Sequence, residues 1–318
     1  DKCINLERLP EGIGRLVNLR HLYIDYCWKL RGLPKGIGKL AGLQKLDMLV
    51  IPQNKEAYFH FGDLKTWNHH QLQGFLRIKR CENFENVGEA EKTSLIKMKD
   101  LQDLCLQFDL RDADPQHEVE ILEALKPHEN LKVLSIEYYM GTIYASWMTS
   151  LINLRYLTLG ACSNCEILPP LGKLPCLESL QICLMKSVKK IGAEFLGLTE
   201  IDHEEDRGSA NITNDSFPKL KKLRFVHLTQ LKEWQGNIVA QGGSTFMVMP
   251  CLHSLEISSC SSLEVLPDFL QMSPLQHLTI KRCKILQRCC QMGKGKEWHK
   301  ISHVPSIKIV EEYVEKTA

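Results

Sequence analysis

Apolar residues recur along this chain in the order Leu-x-x-Leu-x-Leu/Ile, with polar positions between them at the same spacing. Leu19, Leu22, Ile24 and Cys27 form one copy, and Leu154, Leu157, Leu159 and Cys162 another. Leu252, Leu255, Ile257 and Cys260 repeat it, as do Leu275, Leu278, Ile280 and Cys283. Copies without the cysteine start at Leu43, Leu101, Leu131, Leu177 and Leu220, and a stretched copy runs Leu72, Leu76, Ile78 and Cys81. In extended backbone successive side chains point to opposite sides, so each Leu-x-Leu predicts a short strand that buries both leucines and exposes the residues between. The ninth position turns inward where the chain leaves the strand. A cysteine is small enough to fit there, and its thiol is placed to bond loop backbone groups. The prolines in Leu30-Arg31-Gly32-Leu33-Pro34 and Leu263-Glu264-Val265-Leu266-Pro267 stop strand pairing and predict extended or turn backbone on the far side.

The copies start at 19, 43, 72, 101, 131, 154, 177, 220, 252 and 275, and the shortest steps match one leucine-rich repeat. A single copy cannot hide its own leucines, so neighbours must stack. The predicted fold is an α/β repeat solenoid: an irregular leucine-rich-repeat horseshoe with a concave parallel β-sheet and a convex side of loops and short helices. About 10–12 repeats would occupy residues 1–318, with insertions near 50–71 and 199–216 and a C-terminal cap over 284–318. The first insertion carries Tyr58, Phe59, Phe61, Trp67, His69 and His70 and reads as a loop packed on the solenoid flank. Trp147 and Trp234 are expected to be buried on the convex side, and Trp298 belongs to the cap. Ile307 and Ile309 there offer one more short strand.

Composition narrows the function. The 318 residues include 47 leucines and 13 cysteines, with 40 Lys+Arg against 38 Asp+Glu. That balance gives no reason to expect a nucleic-acid partner. No uncharged apolar run reaches the roughly 18 to 20 residues of a bilayer span. An odd cysteine count in a chain this long points to free thiols in a reducing compartment. Cys162-x-x-Cys165, and Cys289-Cys290 with His299 and His303, lack the four converging ligands of a zinc site. Neither a Gly-x-Ser-x-Gly elbow nor a His-Glu-x-x-His helix occurs. Metal chemistry and catalysis are therefore not expected.

The predicted concave strip is the default ligand surface of a solenoid. Its exposed positions include Tyr23, Asp25 and Tyr26, then Glu137 and Tyr138, then Tyr156 and Thr158. Lys222, Arg224 and His227 follow, then Glu256, then His277, Thr279, Lys281 and Arg282. Aromatics come early and centrally; cations gather late. The candidate protein-binding residues are Tyr23, Tyr26, Tyr138, Tyr156, Lys222, Arg224, His277, Lys281 and Arg282. The second insertion holds Glu200, Asp202, Glu204, Glu205 and Asp206, a candidate acidic regulatory surface, beside the paper sequons at Asn211 and Asn214.

Leu9-Pro10-Glu11-Gly12-Ile13-Gly14-Arg15-Leu16 and Leu33-Pro34-Lys35-Gly36-Ile37-Gly38-Lys39-Leu40 resemble the repeats of plant intracellular nucleotide-binding leucine-rich-repeat disease resistance proteins of the coiled-coil branch. The likeness continues through Glu85-Asn86-Val87-Gly88-Glu89-Ala90 and Leu122-Glu123-Ala124-Leu125-Lys126-Pro127-His128-Glu129-Asn130-Leu131. It runs on through Leu168-Pro169-Pro170-Leu171-Gly172 to Gly295-Lys296-Glu297-Trp298-His299. This resemblance implies the C-terminal repeat region of such a receptor, cytoplasmic or nuclear-cytoplasmic. Its implied partners are proteins: its own nucleotide-binding domain, a pathogen effector or a guarded host protein. A Gly-x-x-x-x-Gly-Lys-Ser/Thr string is absent, so ATP or ADP is expected only in an upstream domain, with no cofactor in this chain. The alternative is a free-standing adaptor, decoy or truncated gene product.

Overall fold

Leu-x-Leu pairs become strands here because each leucine stacks on its counterpart in the next repeat. The computed structural model describes residues 3–59, 71–109, 114–197, 215–236 and 247–310. They fall into two units, Asp1–Leu154 and Arg155–Ala318.

In the first unit, β1 (His21–Leu22) and β2 (Lys45–Leu46) pair in parallel with Leu22 opposite Leu46. Next come β3 (Met48–Val50), β4 (Gly74–Lys79), β5 (Leu101–Gln107) and β6 (Val133–Glu137). They form a parallel sheet in chain order, although helix α1 (Val87–Glu91) lies between β4 and β5 and α2 (Pro115–Ala124) between β5 and β6. Leu76, Leu104 and Leu134 make one buried ladder, and Ile78, Leu106 and Ile136 a second. Both helices start on side-chain caps: Asn86 accepts from the Glu89 N–H at 3.0 Å, and Asp114 from the Gln116 N–H at 3.0 Å. Pro115 fits the first helical position because no N–H partner is needed there.

In the second unit the parallel order is β7 (Tyr156–Gly160), β8 (Ser179–Cys183), β10 (Lys222–Val226), β12 (Ser254–Ser258), β13 (His277–Lys281) and β14 (Ser306–Val310). Leu157, Leu180, Leu223, Leu255, Leu278 and Ile307 share one register row; Leu159, Ile182, Phe225, Ile257, Ile280 and Ile309 share the next. The extra strand expected at Ile307 and Ile309 is thus β14. Before it come α3 (Lys284–Cys289) and α4 (Trp298–Ile301), the latter beginning at Trp298. A second small sheet joins β9 (Lys190–Ile191) to β11 (Glu233–Trp234). Each fully buried leucine contributes roughly 1.5–3 kcal/mol relative to exposure, so these rows are the main stabilising feature.

The ninth-position thiols bond as expected. Cys81 Sγ donates to the Ile78 carbonyl at 3.4 Å, Cys162 to Gly160 at 3.5 Å, and Cys283 to Lys281 at 3.1 Å. One backbone feature is not foreseen by strand alternation. Arg80, Tyr138, Ala161, Leu184, His227, Ser259 and Arg282 all adopt left-handed backbone, with φ of 53–60°. Each immediately precedes the ninth position. Tyr138, His227 and Arg282 therefore lie on the corner beyond their strands, not in the strand rows where alternation places them.

Trp147 and Trp234 are buried, as expected. The Trp147 ring N–H donates to the Leu122 carbonyl at 3.0 Å, and Trp234 sits edge-on between Phe225 and Phe269. Tyr58 and Phe59 of the first insertion pack inward, and the Phe59 N–H bonds Leu33 at 2.8 Å. Phe61, Trp67, His69 and His70 lie outside the described residues, as do Glu200, Asp202, Glu204, Glu205, Asp206, Asn211 and Asn214.

Candidate functional site

Once Leu76 and Ile78 are committed to the core, alternation along β4 puts Phe75, Arg77 and Lys79 on the open face of the first unit. Arg77 becomes the centre of that face. Its Nε lies 2.9 Å from Asp25 Oδ1 and its Nη1 3.8 Å from Glu137 Oε2. Burial opposes the charge on Arg77, but Cys105, Asp25 and Glu137 outweigh it and raise the guanidinium pKa. Asp103, on the neighbouring strand, is pushed up to about 6 by burial, with Arg77 opposing the shift. Lys79 moves down because it is half-buried and lies near Arg80 and Arg77.

Lys79 Nζ stands 4.9 Å above the Trp28 ring, a cation–π geometry. Trp28 meets Tyr26 edge-on at 6.0 Å, and Tyr23 lies 6.2 Å from His21. Tyr23, Tyr26 and Trp28 are all exposed, Tyr23 to 64%. Three exposed rings with a cation over one of them make a surface suited to protein anchoring, since rigid aromatics contribute large contact area at low entropic cost. Strand alternation brings Tyr23 to this face. The contributions of Arg77, Lys79, Asp103 and Trp28 are not apparent in sequence, because they lie in separate repeats and only stacking brings them to one face.

On the second unit, Tyr156, Lys222, Arg224, His277 and Lys281 occupy open strand positions. The cations among them do not form a uniformly basic strip. Arg224 Nε pairs with Glu256 Oε2 at 3.0 Å, and its Nη1 donates to Gln181 Oε1 at 2.9 Å. Lys281 Nζ reaches the other Glu256 oxygen at 3.7 Å. Glu256 thus compensates two of the four cations proposed for recognition, leaving Lys222 on the strand and Arg282 on the corner. A parallel arrangement runs along the strand entrances, where Glu178 pairs with Lys221 at 2.9 Å and Arg155 at 3.5 Å. The Lys221 hydrogen bond holds the Glu178 carboxyl below its usual range.

Among the described residues no group of three or more His, Cys, Asp or Glu side chains is arranged to hold a metal ion. Cys162 and Cys165 are buried in the repeat interior, Cys290 likewise, and the His303 ring bonds the Ser273 carbonyl at 3.1 Å. No described helix is long and apolar enough to cross a membrane. A cleft of about 280 Å³ in the second unit mixes Lys189 and Lys190 with Glu166 and Glu194, so no single charge dominates it.

Two family models match the repeats. Residues 62–185 match the R13L1/DRL21 LRRs, and residues 127–284 match the leucine-rich repeats of plant disease resistance protein RPS2-like sequences. RGA4 of Solanum bulbocastanum, named as a disease resistance protein, is 34% identical over 86% of this chain and 26% of its own length. RGA1 of the same species is 32% identical over 65% of this chain and 19% of its own length. The disease resistance RPP13-like protein 1 of Arabidopsis thaliana is 29% identical over 67% of this chain and 22% of its own length. The chain thus spans about a fifth to a quarter of the relatives it matches. Leucine ladders, cysteine corners and these matches agree: the chain belongs with the leucine-rich-repeat regions of plant disease resistance proteins.

Proposed function

We propose that this chain is the partner-recognising and self-inhibiting part of a plant immune receptor, and that it uses the open face of its strands. The observation that supports this most is the first-unit face. Tyr23, Tyr26 and Trp28 stand exposed there beside an ordered Asp25–Arg77–Glu137 charge network. The parallel ladders hold that face rigid, so little ordering entropy would be lost on binding. Tyr138, Tyr156, Lys222, His277 and Arg282 extend the proposed surface within their own units. Its partners would be a pathogen effector or a guarded host protein and the receptor's nucleotide-binding domain, in the cytoplasm. ATP or ADP would be bound by that domain. The acidic residues Glu200, Asp202, Glu204, Glu205 and Asp206 would meet a basic face on it. A ligand that engages the repeats better in the open receptor than in the closed one would shift the receptor towards its active state.

Two measurements test this. Translating the transcript 5′ of the Asp1 codon is expected to reveal an in-frame Gly-x-x-x-x-Gly-Lys-Ser/Thr segment. A start codon directly before Asp1 would instead turn the reading to a free-standing adaptor or decoy. Calorimetric titration of that upstream domain against the chain follows. Combined replacement of Tyr23, Tyr26 and Trp28 by alanine is expected to weaken binding at least tenfold with an unchanged circular-dichroism spectrum. Unchanged affinity would remove this face from the proposal.

A further inference from the structure

Cys260 and Cys283 occupy the ninth position of consecutive repeats, and the parallel register carries them into contact. β12 and β13 pair Ser258 with Lys281, two residues before each cysteine. Both chains then turn through the same left-handed corner, at Ser259 (φ 54°) and Arg282 (φ 53°). The two cysteines therefore leave equivalent corners on strands roughly 4.8 Å apart. That separation falls inside the roughly 4.4–6.8 Å between Cα atoms that a disulfide spans. The two residues already touch. The Cys260 N–H donates to Cys283 Sγ at 3.3 Å.

The pair is asymmetric. Hydrogen bonding from Cys260 pulls the Cys283 thiol pKa down against its burial, with backbone N–H groups of Cys260 and Ser259 adding to the effect. The same contact, with burial, holds Cys260 protonated. The backbone N–H that Cys260 gives to Cys283 Sγ favours a thiolate there, which makes Cys283 the attacking sulfur and Cys260 the resolving one. After Cys162 and Cys27 the following ninth position is not a second cysteine: it is Met185 and Ile51 respectively. Cys3 and Cys27 share the consecutive spacing, but Cys3 is exposed.

We propose that Cys260 and Cys283 form a redox modification site, closed to a disulfide between stacked repeats by a small hydroperoxide. The Cys283 thiolate attacks the terminal oxygen of ROOH. An S–O bond forms, the O–O bond breaks, and RO⁻ leaves and takes a proton as ROH. Cys260 sulfur then attacks the Cys283 sulfenic sulfur. The S–S bond forms, the S–O bond breaks, and the departing hydroxide takes the Cys260 proton as water. Two thiols lose two electrons to one peroxide, and a thiol reductant restores them. Both sulfurs are fully buried, so a compact peroxide reaches them through local opening more readily than a bulky disulfide does.

The test treats the 318-residue chain with hydrogen peroxide, alkylates remaining thiols under denaturing conditions, and maps non-reduced peptides by mass spectrometry. The expected product joins the Cys260 and Cys283 peptides, is two hydrogens lighter than their sum, and is split by dithiothreitol. Closing the intervening loop is expected to raise Tm by roughly 5–10 °C. Cys283→Ser is expected to abolish both the linked peptide and the shift. If that variant does not fold, the peptide map of the unaltered chain decides alone. Recovery of Cys260 and Cys283 as separately alkylated thiols would overturn the proposal. So would oxidation of Cys283 to sulfinic acid with Cys260 unlinked, or a link confined to Cys3 and Cys27.

Discussion

Arg224 and Glu256 sit opposite each other on adjacent parallel strands, with Arg224 Nε 3.0 Å from Glu256 Oε2. The pair is coupled on one side to Gln181 and on the other to Lys281. Reversing the charge at Arg224 does more than remove a surface cation: it sets two carboxylates face to face at one register position.

Arg224→Glu is therefore expected to lower stability by about 0.5–1 kcal/mol, the range for a partly exposed pair turned repulsive. Lys222→Glu, at an exposed position opposite Ser179 and Ser254, is expected to leave the urea midpoint unchanged. Equal midpoints for the two variants would mean that the Glu256 network contributes nothing to folding. Lys222 and Arg282 are thus the cleaner positions for testing recognition by charge reversal.

The two Leu-Pro-x-Gly-Ile-Gly motifs stack their 3₁₀ turns, and the glycines differ in what surrounds them. A Cβ on Gly14 would lie 2.5 Å from the Gly36 carbonyl oxygen, and one on Gly36 would lie 2.7 Å from the Glu11 carbonyl oxygen, whereas Gly12 faces open space. Gly14→Ala and Gly36→Ala are expected to cost roughly 1–3 kcal/mol by forcing the backbones apart. Gly12→Ala is expected to be near neutral. Thermal melts of the three variants check this, and equal melting temperatures would contradict the stacking.

Much of this architecture is legible in the sequence, and particular residues show where legibility stops. Leu76 and Leu104 reveal themselves through spacing, as do the thiols of Cys81, Cys162 and Cys283, because burial at a fixed period is a local property of the chain. Tyr138, His227 and Arg282 look like strand positions because alternation carries no record of the left-handed corner. Arg77 is invisible as a site centre because Asp25 and Glu137 lie far from it in sequence, and only repeat stacking brings all three together. The apparent basic strip has the same cause: Arg224 and Lys281 read as free cations until the register places Glu256 between them.

Glu118 is fully buried on α2; its Oε2 accepts the Met140 N–H at 2.6 Å, and Oε1 has no hydrogen-bond partner. Burial raises its pKa to about 7, with Glu82 adding to the shift. Burial likewise raises Glu82 to about 7, with the Asp109 N–H opposing. A carboxyl whose folded pKa exceeds its unfolded value favours the native state at low pH and loses that contribution as pH rises through the folded pKa. These two groups are therefore expected to make the chain less stable as pH climbs from about 4.5 to about 7, by up to roughly 3 kcal/mol each. Glu118→Gln is expected to flatten that slope in urea unfolding measured across the interval. An unchanged slope would show that Glu118 ionises normally.

Lys300 ties α4 to the preceding repeat through three contacts. Its Nζ lies 2.9 Å from Glu297 and 2.8 Å from Asp268, and it donates to the Leu266 carbonyl at 2.7 Å. Glu297 in turn accepts the Leu266 N–H at 3.0 Å. Lys300 and Glu297 are both buried, so removing one leaves the other charged in a poorly solvated place. Lys300→Met keeps much of the side-chain volume but strands Glu297 and the Leu266 carbonyl, and is expected to cost roughly 2–4 kcal/mol. Replacing both, as Lys300→Met with Glu297→Gln, removes the stranded charge and is expected to recover part of that loss. Truncation before Trp298 also removes β14 from the edge of β13, and its loss of stability is expected to exceed that of Lys300→Met. A double variant no more stable than Lys300→Met alone would show that the buried pair is not coupled, and that packing of Ile301 and Val304 holds this end together.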